Sequence, residues 1–147
     1  MATRATVMLK DTKGNKLTFY RHYDGYVAAT GADLARKLKK MSKRNAHYQG
    51  WAAFANMLLK DRYEQQPYEK EAKQVYEITE HEHGDLDYQY AVVFDGNLVV
   101  IHVWESRWVD SERKWQKHSF FYEGFREYVK LELLEMRKRM KQRKLAA

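Results

Sequence analysis

The chain has 147 residues and no cysteine, a length suited to one core and a composition that leaves no disulfide, thiolate zinc site or cysteine nucleophile. Its 44% hydrophobic residues, with 4 Trp, 11 Tyr and 6 Phe, are too many for a disordered polymer, while the start MATRATVMLK lacks a secretory apolar region and no run reaches the roughly 18 apolar residues of a membrane span. The net charge of +7 divides into +9 over residues 1–60, −8 over 61–110 and +6 over 111–147, so we expect a dipolar, cytoplasmic, single-domain protein over residues 1–147, which a polarised partner or a nucleic acid would approach by one face.

Thr6 to Lys10 and Lys16 to Arg21 are β-prone runs on either side of Lys13-Gly14-Asn15, which predicts a hairpin. Asp24-Gly25 then stops the second strand. Thr30 with Asp33 three residues on has the spacing of a helix cap, placing a helix start near residue 31 with Leu34, Leu38 and Met41 as its apolar stripe. Its other faces carry Arg36, Lys37, Lys39, Lys40, Lys43 and Arg44 with no acid assigned to neutralise them. Trp51, Phe54, Ala55, Leu58 and Leu59 predict a second helix over His47 to Arg62, and Pro67 ends the helical run.

Gln74 to Glu80, Leu86 to Phe94 and Leu98 to Trp104 predict three consecutive antiparallel strands. Tyr88, Tyr90, Val92 and Phe94 alternate onto one face, Leu98, Val100, His102 and Trp104 onto another, and Asp95-Gly96-Asn97 is the turn between them. Arg107 to His118 suits either a further strand or a covering loop. From Ser119 to Lys144 the apolar spacing is helical, and the last turns form a basic extension over about residues 137–147. The expected fold is α+β: an antiparallel sheet of about five strands ordered as hairpin, two helices and three-strand meander, with a long C-terminal helix.

Four features carry chemistry. Tyr20-Arg21-His22-Tyr23-Asp24-Gly25-Tyr26 packs aromatics, a guanidinium, an imidazole and a carboxylate around one turn. His22 and Asp24 can serve as a base and its orienting acid or as metal ligands, but an architectural network with Arg21 paired to Asp24 is favoured. His81-Glu82-His83-Gly84-Asp85 has two imidazoles and a carboxylate at ligand spacing, but a polar hairpin turn is favoured, since a complete site needs further ligands that the sequence does not place. The remaining two features are basic clusters: Arg36, Lys37, Lys40, Lys43 and Arg44 in the first helix, and Arg137, Lys138, Arg139, Lys141, Arg143 and Lys144 in the last. Such clusters neutralise phosphates, and Tyr48, Trp108 or Trp115 can stack on bases; a solvated helix face is the competing explanation. His102 reads as a core or edge residue. No GxxxxGKS/T, GxGxxG, GxSxG or HExxH pattern occurs, so no cofactor is implied.

The window FYRHYDGYVAATGADLARKL, Phe19 to Leu38, resembles a tyrosine-arginine-histidine-aromatic-aspartate-glycine-tyrosine segment followed by a helix in small proteins of phages and prophage-rich bacteria, with Val27 in place of that family's proline. QVYEITEHEHGDLDYQYAVVF, Gln74 to Phe94, is similar to the same family's strand, Gly-Asp turn and aromatic strand. The resemblance implies a phage-type accessory protein in the host cytoplasm that binds and disables host machinery, and it assigns no catalytic residues. The leading expectation is therefore a non-enzymatic binding protein that inhibits or redirects a host nucleic-acid-handling complex, for example a defence complex, through its basic surfaces, as a monomer or homodimer. The alternatives are a metal-dependent nuclease or phosphodiesterase using His22, Asp24, His81, His83 and Asp85, and an oligomerisation module built on Leu131 and Leu134.

Overall fold

The two faces of the first hairpin differ sharply, and that difference organises the molecule. In the computed structural model, which describes residues 3–45, 50–60, 63–64, 73–80 and 83–146, β1 (Ala5–Asp11) pairs antiparallel with β2 (Lys16–Arg21). Ala5, Val7, Leu9 and Phe19 are fully buried, whereas Thr6, Met8 and Lys10 on the alternate face are half-buried. Asp11 holds the hairpin turn by accepting hydrogen bonds from the Lys13 and Asn15 backbone amides and the Asn15 side chain.

After β2 the chain makes a π-helical turn over Val27–Gly31, enters α1 (Ala32–Asn45) and then α2 (Trp51–Lys60). Thr30 lies inside the π turn and does not cap the helix; its hydroxyl donates 2.7 Å to the Asp24 carbonyl and ties the turn back to the preceding loop. Leu34, Leu38 and Met41 of α1 and Phe54, Ala55 and Leu58 of α2 are buried, as their spacing requires. Pro67 lies outside the described residues.

The predicted strand over Gln74 to Glu80 reduces to two short pieces: β4 (Lys73–Gln74), paired with β3 (Tyr63–Glu64), and β5 (Glu77–Ile78). β5 pairs with β2 at the far edge and takes no part in the meander. The meander instead consists of β6 (Tyr88–Asp95), β7 (Leu98–Val109) and β8 (Glu112–Phe121), and the ambiguous stretch Arg107 to His118 belongs to its last two strands. Among the described residues the main sheet has six strands in the order β5-β2-β1-β6-β7-β8. It is not wholly antiparallel: β6 enters beside β1 in parallel register, because the intervening helices carry the chain back across the sheet.

The helices cover one face only. Tyr90, Val92 and Phe94 of β6 and Val99, Ile101 and Val103 of β7 point into the core, so the predicted stripe Leu98, Val100, His102 and Trp104 lies on the opposite, open face. Both alternations in β7 are apolar, and only the covering helices decide between them. α3 (Tyr122–Ala146) begins three residues later than predicted, since Ser119 to Phe121 complete β8. Its Phe125 and Val129 are buried, and its Tyr128 stacks on Phe120 with ring centroids 4.8 Å apart. Among the described residues no helix is long and apolar enough to cross a membrane.

Candidate nucleic-acid interface

The basic cluster of α1 is partly structural. Lys37 retains 5% of its surface, and its ammonium donates 2.7 Å to each oxygen of Asp33 one turn earlier. The same carboxylate accepts from the Tyr76 hydroxyl, which is itself hydrogen-bonded by Arg21 at 3.2 Å, and from the exposed Arg36 at 2.9 Å. Burial alone would raise the Asp33 carboxyl, but hydrogen bonds from Lys37, Tyr76 and Arg36 outweigh it and hold the group below the ordinary carboxylate range. Burial and then Asp33 push the Tyr76 phenol upward. Lys37 is thus not a solvated phosphate contact, contrary to the sequence expectation, and Arg36 is already ion-paired. Lys40 is exposed. The side chains of Lys43 and Arg44 lie outside the described set.

The heptad at residues 20–26 and the turn at residues 83–85 meet in space. Tyr20 points onto the open face of β2 and stacks flat on His83, centroids 4.0 Å apart. The Tyr20 hydroxyl lies 3.1 Å from His22 Nδ1, and His22 packs edge-on against Tyr23. Arg4 bridges the two segments: its Nε lies 3.4 Å from His22 Nδ1, and its Nη1 forms a 3.1 Å ion pair with Asp85. His83 Nε2 in turn lies 3.0 Å from the Thr79 hydroxyl.

Asp24 does not join this group. It occupies the left-handed region at φ 57°, and Arg21 donates to the Tyr23 carbonyl at 2.9 Å instead of pairing with it. Gly25 follows because a Cβ there would come within 2.7 Å of the Ala5 Cβ; its amide donates to the Thr3 carbonyl and its carbonyl accepts from the buried Tyr90 hydroxyl. Tyr26 closes the motif, its carbonyl accepting from Thr30 N and its phenol raised by burial and by Asp24. His22 and Asp85 therefore engage Arg4 through their polar atoms, while His83 joins the group by stacking on Tyr20 and directs its Nε2 to Thr79. Among the described residues no three His, Asp or Glu side chains are grouped to hold a metal ion, and His81 lies outside those residues.

The basic cluster of α3 is arranged differently from that of α1. Leu133 and Met136 are half-buried, and every residue from Arg137 to Ala146 is exposed. Arg137, Lys138, Arg139, Lys141, Arg143 and Lys144 fall within two turns, with no acid beyond Glu135. Lys138 lies 3.7 Å from Glu135. Leu131 and Leu134, proposed above as a subunit contact, are exposed on the same helix.

The open sheet face adds residues that strand prediction could not assign. β7 and β8 run beyond the end of β6 as a two-stranded ribbon. On its open side Trp104 faces Lys117, Ser106 faces Trp115 and Trp108 faces Arg113. Lys117 lies 5.2 Å above the Trp104 ring and Arg113 4.9 Å above the Trp115 ring. Arg113 also donates 2.6 Å to the Ser106 hydroxyl and 3.0 Å to the Gly84 carbonyl, linking the ribbon to the His83 turn. His102 pairs with Ser119 at 2.7 Å, and burial with Lys117 and Lys10 nearby lowers its pKa and favours the neutral ring. His102, expected as a core or edge residue, stands on the open face of β7 between β6 and β8.

The fold and site together define a mixed α+β protein with a one-sided helical layer, an aromatic open sheet face and a cationic helical tail. Comparison with protein-family models, curated proteins and solved structures finds no match.

Proposed function

We propose that the chain is a non-enzymatic binding protein that acts on a nucleic-acid-handling complex, with the cationic second half of α3 as its principal contact. The observation that carries this reading is the set of six Lys and Arg side chains from Arg137 to Lys144, all exposed on a helix whose apolar anchoring ends with the half-buried Met136. Six cations distributed around about 12 Å of helix supply positive charge that a phosphate backbone can meet without sequence preference. The likeness of Phe19 to Leu38 to phage accessory proteins supports a host complex as the target, for example a defence complex in the host cytoplasm.

The enzyme reading has less support, because the guanidinium of Arg4 already engages both His22 and Asp85. The test is a pull-down from bacterial lysate, with and without nuclease, comparing the parent chain with a variant in which the six α3 cations are Gln. Capture of a nucleic acid or nucleoprotein by the parent and its loss in the variant is the expected result. Equal capture by both chains would overturn the reading.

A further inference from the structure

We infer that the open face of the β7–β8 ribbon is a stacking site for unpaired bases, so that the nucleic acid taken by this protein includes a single-stranded segment. The inference rests on the reading above for its partner class and names the form of that partner.

Three of the four tryptophans of the chain, Trp104, Trp108 and Trp115, share this face. Trp108 is 74% exposed and Trp115, which carries Arg113 over its ring, 39%, so indole surface stands in water with no helix or strand over it in the described fold. Four residues along a strand separate Trp104 from Trp108 by about 13 Å, and Trp115 stands on the neighbouring strand between their levels, so the rings form a staggered row.

The charge pattern selects the occupant. From Trp104 to Trp108 and Arg113 to Lys117 the open face carries Arg113 and Lys117 and no carboxylate. The reverse face of the same ribbon is balanced, with Glu105 ion-paired to Arg107 at 3.4 Å and Glu112 beside Lys114 in sequence order. An apolar protein partner needs no such one-sided charge. A strand of nucleic acid needs both parts: ring faces for its bases and cations for its phosphates. Paired bases keep their faces inside the duplex and cannot use the indoles.

The experiment measures fluorescence anisotropy of dye-labelled oligo-dT of about 12 nucleotides, the matching duplex, and an abasic strand of equal length, at low salt. The expected result is tighter binding of oligo-dT than of the abasic strand by the parent, and an about tenfold loss for oligo-dT in each of Trp108→Ala and Trp115→Ala. The abasic strand is expected to bind the parent and both variants alike, a readout that a folding defect would not produce. Oligo-dT and abasic strand bound equally by the parent, or oligo-dT bound equally by parent and tryptophan variants, would overturn the stacking site; the chain with its six α3 cations as Gln, measured on the duplex alongside, leaves the proposed function standing if duplex binding is lost with those cations. Failure of all three probes to bind the parent would overturn both.

Discussion

α1 and α3 each carry a run of lysines and arginines, yet only in α3 is every cation of the run exposed, with Lys138 paired to the exposed Glu135. In α1 an aspartate sits one turn before Lys37, and Tyr76 from a distant loop closes over the pair, so the ammonium becomes part of the packing between helix and loop. In α3 the last acid is Glu135, the helix outruns the core, and the cations that follow stand in solvent. Charge counted along a chain does not measure charge offered to a partner. The position of the nearest acid and the depth of the helix face decide it.

The comparison breaks most visibly through stability. Asp33→Ala strips the partner from a buried ammonium and is expected to destabilise the protein by about 3 kcal/mol, whereas Arg137→Gln, Arg139→Gln and Arg143→Gln are each expected to change it by less than about 0.5 kcal/mol; denaturant midpoints measure both. Gly25→Ala forces a methyl against Ala5 and should cost about 2 kcal/mol by the same assay. Asp33 also sharpens the comparison through pH. Its folded pKa lies below its unfolded value of 3.8, so its contribution is fully present above that value and is lost as pH falls through the lowered folded pKa. Acid unfolding curves of Asp33→Asn should lose that part of their pH dependence below about 4, and those of the α3 variants should keep it.

A stabilising effect is expected at the ribbon tip. Asp110 and Ser111 both hold positive φ, at 51° and 65°. Replacing them with Asn-Gly, which adopts this turn without strain, should stabilise the hairpin by about 1 kcal/mol, seen as a raised melting temperature.

That tip also shows where the sequence was legible and where it was not. Gly14 and Gly96 mark their hairpin turns openly in the sequence; Asp110-Ser111 makes a two-residue turn without glycine or asparagine, so local pattern does not separate strand from loop over Arg107 to His118. The apolar stripes of α1 and α2 were read correctly because their polar faces contrast with them. In β7 both faces are apolar, and the choice of Val99, Ile101 and Val103 for the core came from helices elsewhere in the chain. Parallel pairing of β1 with β6 likewise depends on the path between them, which no local pattern encodes. At the site, His22, His83 and Asp85 were named from their chemistry, but Arg4, which joins them, stands before β1 in no recognisable motif. Tyr76, the lid on Lys37, was equally unmarked.

The most direct measurement is the salt dependence of binding to a short DNA duplex, for the parent, for a chain with the six α3 cations as Gln, and for Lys40→Gln in α1. We expect the α3 variant to lose most of the parent slope of log K against log salt, about 0.9 for each phosphate contact removed, and Lys40→Gln to keep it within about one contact. A parent-like slope in the α3 variant, or its collapse in Lys40→Gln, would contradict the assignment of the contact to α3.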